Sequence, residues 1–561
     1  MCQRPAADNR VNELNKPPTA GVGANQQLFN IMDDKKLRRI AFPAAITVSI
    51  LTAFWAITDR PLGGHEAYVA VTARQMVNSG DWLIPYFNGE PRLQKTPLGY
   101  WLVAAAAKAA GGVNEFVVRL PSAVLAVLSA IAILYFVSDW LSVRIAALSS
   151  LIWSTSLCYI RYSHTGRPEM ALTAFVTIAM LSFYSAVKTQ SRRKQVCCML
   201  IFWLGFSLAM LAKGPAPLPL VFPALFFYFA VFRQWRLIPK LLPIAGAVLF
   251  LLISLGWPAA VLIKLPQVLE VWKNEFLGRA AGEYAAGSKP FFYYFGIMFV
   301  YFLPFSAFIP LALAAPFYRI WEKKREVIFY LWFWFAAGIV VMSFCGGKRQ
   351  HYILPLMPAM AVLAGIIIDD MIFVNKAYSR RFVAIFSIGH LFAVITVVTG
   401  VVVWLMRAQH HLQNFIMYIG LIIVMLAFYI SILFLLNRGA IATASLFAVL
   451  CALILIWPML EDKETDENYI IRNFADMVAI AAADKPVIAY CKVNASFIYY
   501  SGHDIPVVCD IDKVYERYSA GCGIVAAGDN FEQLKGDERF RLFGIGLDKG
   551  RGFFIKDEKN E

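Results

Sequence analysis

Charge and cysteine are scarce in this chain, and a nucleotide-binding signature is missing. Only 16% of its 561 residues are charged, too few to clothe an ordinary soluble enzyme of that length. The nine cysteines show no spacing of a metal-binding set. Cys158, Cys197, Cys198, Cys345 and Cys451 fall in or beside apolar runs, where a free cysteine acts as a small core residue. Cys491, Cys509 and Cys522 lie near the C-terminus in a polar setting where oxidation is open to them. No cleavable leader is read, because the first apolar run is too long and lacks a small-residue cleavage site. It is expected to remain as an anchor. No internal repeat is evident, which argues against a transporter built from inverted repeats.

What is abundant is apolar sequence: 59% of residues are hydrophobic and 15% aromatic. Runs of about 20 apolar residues, the length that spans a bilayer, recur between Ile40 and Leu460. Thirteen are read, near 40–58, 116–138, 144–160, 168–187, 196–212, 214–232, 239–263, 292–314, 327–344, 351–373, 381–406, 415–436 and 440–459. The fold class is therefore an α-helical polytopic membrane protein. Residues 1–34 are polar and read as a disordered cytoplasmic tail; Met32 offers an alternative start. Residues 35–460 form the membrane domain, with a long first loop at 59–115. After Pro458 helical and strand patterns alternate. A helix is expected over 468–483, and strands over 486–490, 505–509 and 523–527. Helices from Asn494 and Asp512 fall between them, giving a small α/β domain with a partly parallel sheet over 461–561.

The net charge of +15 invites a nucleic-acid partner, but its distribution points elsewhere. Lys35, Lys36, Arg38 and Arg39 precede the first span. Arg192, Arg193 and Lys194 follow the fourth; Arg233, Arg236 and Lys240 follow the sixth. Lys323, Lys324 and Arg325 follow the eighth, and Lys376, Arg380 and Arg381 the tenth. Alternating topology puts all of these on one side, the positive-inside pattern of cytoplasmic loops. Anionic headgroups of the bilayer are their expected partners, with no role for nucleic acid. The first loop and the C-terminal domain then lie outside.

That outer side carries the chemistry. The first loop reads GGHEAYVAVTARQMVNSGDWLIPYFNGEPRLQKTPLGYW, and a loop this long in such a chain is uncommon without a function. Glu66–Val77 has helical spacing. Asn88-Gly89 is a turn signal, and Leu98–Ala110 is a short apolar helix. The loop holds His65, Glu66, Arg74, Arg92 and Lys95. Further along come Arg161, His164, Arg167 and Glu169 before the fourth span, and Lys213 in LAKGP. Glu275, Arg279, Glu283 and Lys289 precede the eighth span, with Lys348, Arg349, His351 and Tyr352 before the tenth. Ionisable groups at membrane depth are costly and mark function. Here they oppose the positive-inside trend. Arginine offers a planar fork and lysine a point charge for phosphate. Glu66 and Glu169 would hold those cations, act as base or ligate a metal. Each residue also has a structural alternative. Glu66 suits the first turn of a helix, Arg167 and Glu169 suit a pair at a helix start, Lys213 can snorkel, and His65 can simply pack.

The runs HEAYVAVTARQM, SGDWLIPYFNGEP, QKTPLGYWL, NEFVVRLPSA, RPEMALTAF, LAKGP, KPFFYYF and KRQHYILPLMPA occur in order over residues 60–365. Together they resemble the lipid-linked-sugar glycosyltransferases of the GT-C fold. The likeness is strongest to bacterial aminoarabinose transferases of lipid A (ArnT type) and more distant to protein O-mannosyltransferases. The resemblance implies an inner-membrane enzyme that takes a sugar from a polyprenyl-phosphate donor and passes it to lipid A or another envelope acceptor at the periplasmic face. It places Lys95 on the lipid phosphate, Glu169 at the family's acid before the fourth span, and Lys213, Arg279, Lys348 and Tyr352 at further donor-site positions. Arg74 corresponds to the arginine of the interfacial helix. Two acids of the family are replaced here, one by His65 and one by Gln94. Glu66 or His65 is then expected to orient or deprotonate the acceptor, with Glu66 the stronger candidate and Glu169 next. A phosphate acceptor, already ionised, needs no strong base, whereas a protein hydroxyl does. A divalent metal remains an open cofactor. A protein O-glycosyltransferase and a flippase of lipid-linked material are the alternative readings.

Overall fold

The computed structural model describes residues 34–278 except 242, residues 289–374, several positions between 377 and 389, and residues 467–556 except 484 and 547–549. The expected N-terminal tail, Arg279, Glu283 and most of the three apolar runs after residue 381 lie outside the described residues.

The chain enters through α1 (Asp34–Phe54) and leaves it into the first loop. There α2 (Gly64–Ser79) is closed at its C-terminus by Gly80 in the left-handed conformation. The hairpin β1 (Tyr86–Phe87) and β2 (Glu90–Pro91) turns at Asn88 and Gly89, both with positive φ, as a two-residue turn of that twist requires. The loop ends in α3 (Leu98–Ala110). Three indoles clip it down. Trp101 donates to the carbonyl of Trp82 at 2.7 Å, Trp257 to that of Leu83 at 2.8 Å and Trp272 to that of Leu93 at 2.9 Å.

The bundle follows with α4 (Glu115–Trp140), capped by Asn114, whose side chain accepts from the Val117 amide at 2.9 Å. Next come α5 (Val143–Ser154), α6 (Leu157–Ser163), α7 (Glu169–Lys188), α8 (Arg192–Lys213) and α9 (Leu218–Phe232). Hydroxyls within α7 are satisfied by the preceding turn: Thr173 and Thr177 donate to the carbonyls of Glu169 and Thr173. Beyond the span Ile244–Lys264 stand α10 (Val268–Lys273), α11 (Tyr293–Tyr301), α12 (Arg325–Phe344) and α13 (Met357–Asp369). Their core is aromatic-rich, with Trp153, Trp334, Tyr159, Tyr228 and Tyr330 fully buried.

Seven described helices are long and apolar enough to cross a membrane, and α5 with α6, apolar together but bent by 60°, form either a broken span or a re-entrant loop. The chain is a multi-pass membrane protein. Two expected spans are shorter or interrupted in the structure. The run 214–232 starts its helix only at Leu218, after Pro215 and Pro217, and α9 is 15 residues long, about 22 Å of rise. The run 292–314 is interrupted: α11 stops at Tyr301, and a 3₁₀ turn over Ser306–Phe308 precedes a separate helix, Ile309–Ala314. Pro304 and Pro310 lack the amide hydrogens a continuous helix would use.

The tail begins with α14 (Glu467–Ala482). It continues through β3 (Val487–Tyr490), α15 (Ala495–Ser501), β4 (Val507–Val508), α16 (Ile511–Ser519), β5 (Gly523–Ala527), α17 (Asp529–Lys535), β6 (Leu542–Ile545) and β7 (Arg551–Phe554). The sheet order is β4-β3-β5-β7-β6. β3 pairs in parallel with β4 and β5, and β7 is antiparallel to β5 and β6. One apolar cluster joins this domain to the first loop: Phe474, Phe497 and Ile498 share a core with Ala67, Ala70 and Tyr100.

Candidate active site

Glu169 opens α7, where the unpaired amides of the first turn favour a carboxylate. Lys213 closes α8, which runs antiparallel beside it, and Gly214-Pro215 ends that helix. The two charges therefore meet. Glu169 Oε1 accepts from Lys213 Nζ at 3.1 Å and from Arg167 at 3.2 Å, and His351 Nε2 lies 3.5 Å away. The acid and the imidazole are buried, Glu169 at 4% exposed and His351 at 9%, while Lys213 and Arg167 are half-buried. The second oxygen, Oε2, is also buried and meets no donor among the described residues. Tyr352 stands over the group, its ring centre 5.5 Å from Lys213 Nζ.

Two more elements bring charge to this point. Lys95 lies within electrostatic reach of Lys213 and forms an ion pair with Glu275, whose carboxylate is buried in the turn after α10. His65, on the first turn of α2, is open to solvent. It still lies within reach of Arg167, Glu169, Arg349 and Lys95. Partial burial first, then Arg167, lower its pKa, with Glu169 pulling the other way. The imidazole is therefore neutral at neutral pH and free to accept a proton.

Glu66 faces away from that group. Its Oε1 accepts from Arg119 Nε at 2.9 Å and from the Gly166 amide at 2.8 Å. Its Oε2 accepts from the second Arg119 nitrogen at 3.1 Å and the Gly63 amide at 3.2 Å. Arg119 in turn donates to the carbonyls of Ile57, Arg60 and Pro61. A Cβ at residue 166 would fall 2.3 Å from the Val118 side chain and 2.9 Å from its carbonyl oxygen, so glycine is needed for this approach. Glu66 is expected to orient the acceptor; in the structure both of its oxygens accept from a clamp that ties the first loop to α4 and to the turn before α7. The leading partner, Arg119, was not singled out from the sequence. An arginine in the first turns of an apolar span was the available signal.

Arg74, expected at the donor site, donates to the carbonyls of Tyr499 and Ile498 at 3.2 and 3.3 Å in the contact with the tail domain. Lys348 is buried and donates to the Lys289 carbonyl at 3.3 Å. Arg279 lies outside the described residues. Among the described residues no three His, Cys, Asp or Glu side chains converge as metal ligands. Glu169 and Glu275 have lysine or arginine partners, a donor set suited to phosphate and sugar hydroxyls more than to a divalent cation.

Residues 94–257 match the family described as dolichyl-phosphate-mannose-protein mannosyltransferase. An uncharacterised protein of Aquifex aeolicus is 34% identical over 305 residues, covering 53% of this chain and 58% of that protein. The undecaprenyl phosphate-alpha-4-amino-4-deoxy-L-arabinose arabinosyl transferase of Pseudomonas aeruginosa is 26% identical over 335 residues, 56% of this chain and 58% of its own length. The chain thus spans somewhat over half the length of these relatives. The crystal structure of ArnT from Cupriavidus metallidurans bound to undecaprenyl phosphate superposes with a TM-score of 0.76 at 18% identity, covering 93% of this chain and 98% of that one.

Proposed function

We propose that this chain, an ArnT-like protein of the GT-C fold, is an inner-membrane glycosyltransferase. It moves a sugar from undecaprenyl phosphate to lipid A or a related envelope glycoconjugate, with the first loop and the domain over 461–561 on the periplasmic side. The observation that carries the reading is Glu169. A buried carboxylate has one oxygen held by Lys213 and Arg167 and the other without a donor among the described residues. Such an oxygen orients a sugar or acceptor hydroxyl. In the reaction the bond between the anomeric carbon and the phosphate oxygen breaks, and that oxygen keeps the electron pair. Lys95 and its neighbouring cations stabilise the charge as it develops. The acceptor oxygen forms the new bond. A phosphate acceptor arrives ionised, while a hydroxyl acceptor passes its proton to neutral His65.

The test is lipid A mass spectrometry of cells with and without the gene, together with turnover of a polyprenyl-phosphate sugar by the purified protein. A sugar-sized mass lost from lipid A on deletion supports the reading. The match of residues 94–257 to a protein mannosyltransferase family favours one rival, transfer to protein. Unchanged lipid A with loss of glycosylated envelope proteins would select it. Consumption of no donor at all would leave a flippase.

A further inference from the structure

The tail domain reaches the first loop through a short segment. Residues 491–509 run from the end of β3 to the end of β4 and carry α15. Ser496 Oγ donates to the Leu62 carbonyl at 3.0 Å, and the Leu62 amide donates to Tyr500 Oη at 2.7 Å. The amide and carbonyl of Ile505 pair with the Asn88 side chain at 2.7 and 2.8 Å. Gln75 donates to Asp504 at 2.7 Å, and the Arg74 contacts fall on the same segment. These bonds reach both α2 and the hairpin tip of the loop that carries His65 and Lys95.

The segment begins and ends in cysteine. Tyr490 and Val508 are partners in the parallel ladder, so Cys491 and Cys509 are the next pair along. Neighbouring strands stand roughly 4.8 Å apart, inside the range of Cα separations that a disulfide bridges. The Cys491 amide donates to the Val508 carbonyl at 2.9 Å, and its thiol lies 3.6 Å from the Cys509 carbonyl oxygen. The neighbouring Cys509 side chain is the first cause of the Cys491 thiol pKa being pushed up to about 11. Cys522 is elsewhere. It precedes β5, whose Gly523 pairs with Val487 at the opposite end of β3, and it is buried, whereas Cys509 is exposed. β4, the edge strand, is only two residues long, so few ladder bonds hold that end of the segment.

The geometry points to a disulfide between Cys491 and Cys509 that closes the docking segment into a covalent loop and fastens it against the first loop. The inference rests on the proposed periplasmic side of this domain, since disulfides persist in that compartment. The oxidant is a protein disulfide of the envelope's thiol-oxidising class. The exposed Cys509 thiolate attacks it, forming a mixed disulfide and releasing one oxidant thiolate. The Cys491 thiolate then attacks the Cys509 sulfur and releases the second. Two electrons pass to the oxidant, and the two thiol protons end on its dithiol.

The test uses the full chain in native membranes, quenched with acid and alkylated with a mass-tagged maleimide before and after reduction. The expected result is a linked Cys491–Cys509 peptide, with both thiols reactive only after reduction. In Cys491→Ser, Cys509 becomes reactive without reductant, and Cys509→Ser does the same for Cys491. Free thiols in untreated membranes, or a link to Cys522, would overturn it. Spheroplasts treated with an impermeant phosphine and then an impermeant maleimide separate this from topology. Cys509 labelled from outside, yet free before reduction, sinks the disulfide and leaves the topology standing. Cys509 labelled only after lysis sinks both. Reduction should also raise tryptic cleavage at exposed Lys492 several-fold in the wild type and not in Cys491→Ser; equal rates in both before and after reduction would remove the fastening role.

Discussion

Two buried carboxylates, Glu66 and Glu169, stand on the same face of the bundle and differ in one respect that sorts their roles. Glu66 has donors on both oxygens, all from protein and two of them backbone amides. Glu169 has its cations on one oxygen, and the other is left over among the described residues. A fully satisfied buried carboxylate is part of the scaffold, because any ligand would have to displace a bond it cannot better. A half-satisfied one is expensive to keep buried and is retained where a ligand completes it. The difference teaches that burial and charge alone do not distinguish two carboxylates; the donors each oxygen meets do.

The largest expected effect attacks the scaffold side. Arg119→Ala strands the Glu66 charge in the interior, where breaking one partner of a buried pair costs about 3–5 kcal/mol. Membrane abundance and thermal midpoint should both fall sharply. A variant of normal stability with low turnover would instead make Glu66 a site residue. Next comes Glu169→Gln, which keeps shape and loses charge. Turnover should drop by about a hundredfold with the protein still abundant; full activity would erase the contrast between the two acids. Lys95→Ala should lower turnover by about tenfold, about 1.4 kcal/mol of transition-state stabilisation, provided that membrane levels match wild type. Normal rates would reduce Lys95 to a structural partner of Glu275.

The smallest effect is in pH. The folded His65 pKa is lowered below its ordinary value near 6.5, so the unfolded chain takes up the proton first as pH falls. The contribution of neutral His65 to stability is therefore complete above about pH 6.5 and is lost as pH drops toward the folded value. With a hydroxyl acceptor, activity should show an acid limb below about pH 6.5 that disappears in His65→Ala, along with part of the turnover. With a phosphate acceptor the limb should be weak. An acid limb unchanged in His65→Ala would move the titration to another group.

Periodicity and punctuation made much of the architecture legible. Leu98–Ala110 and Gly523–Ala527 fall where their patterns place them, because amphipathic spacing and flanking glycines act within a few residues. Asn88-Gly89 makes its hairpin for the same local reason. Glu169, Lys213 and Tyr352 were visible as charged or polar groups at span ends, and the antiparallel pairing of α7 and α8 brings them together. What stayed hidden was partnership. Glu66 meets Arg119 across 53 residues, Lys95 meets Glu275 across 180, and Arg74 meets the tail across more than 400.

By itself the sequence determined a multi-pass helical protein with clustered basic loops, a polar first loop and an α/β tail. Hydropathy, charge asymmetry and turn residues act over one element at a time, and a bilayer leaves a long apolar run few alternatives. Only the tertiary structure decided which donors fill both oxygens of Glu66, which oxygen of Glu169 meets none among the described residues, and that Arg74 pairs with the tail. Those outcomes depend on which donors fill which lone pairs, and packing supplies the donors from distant elements.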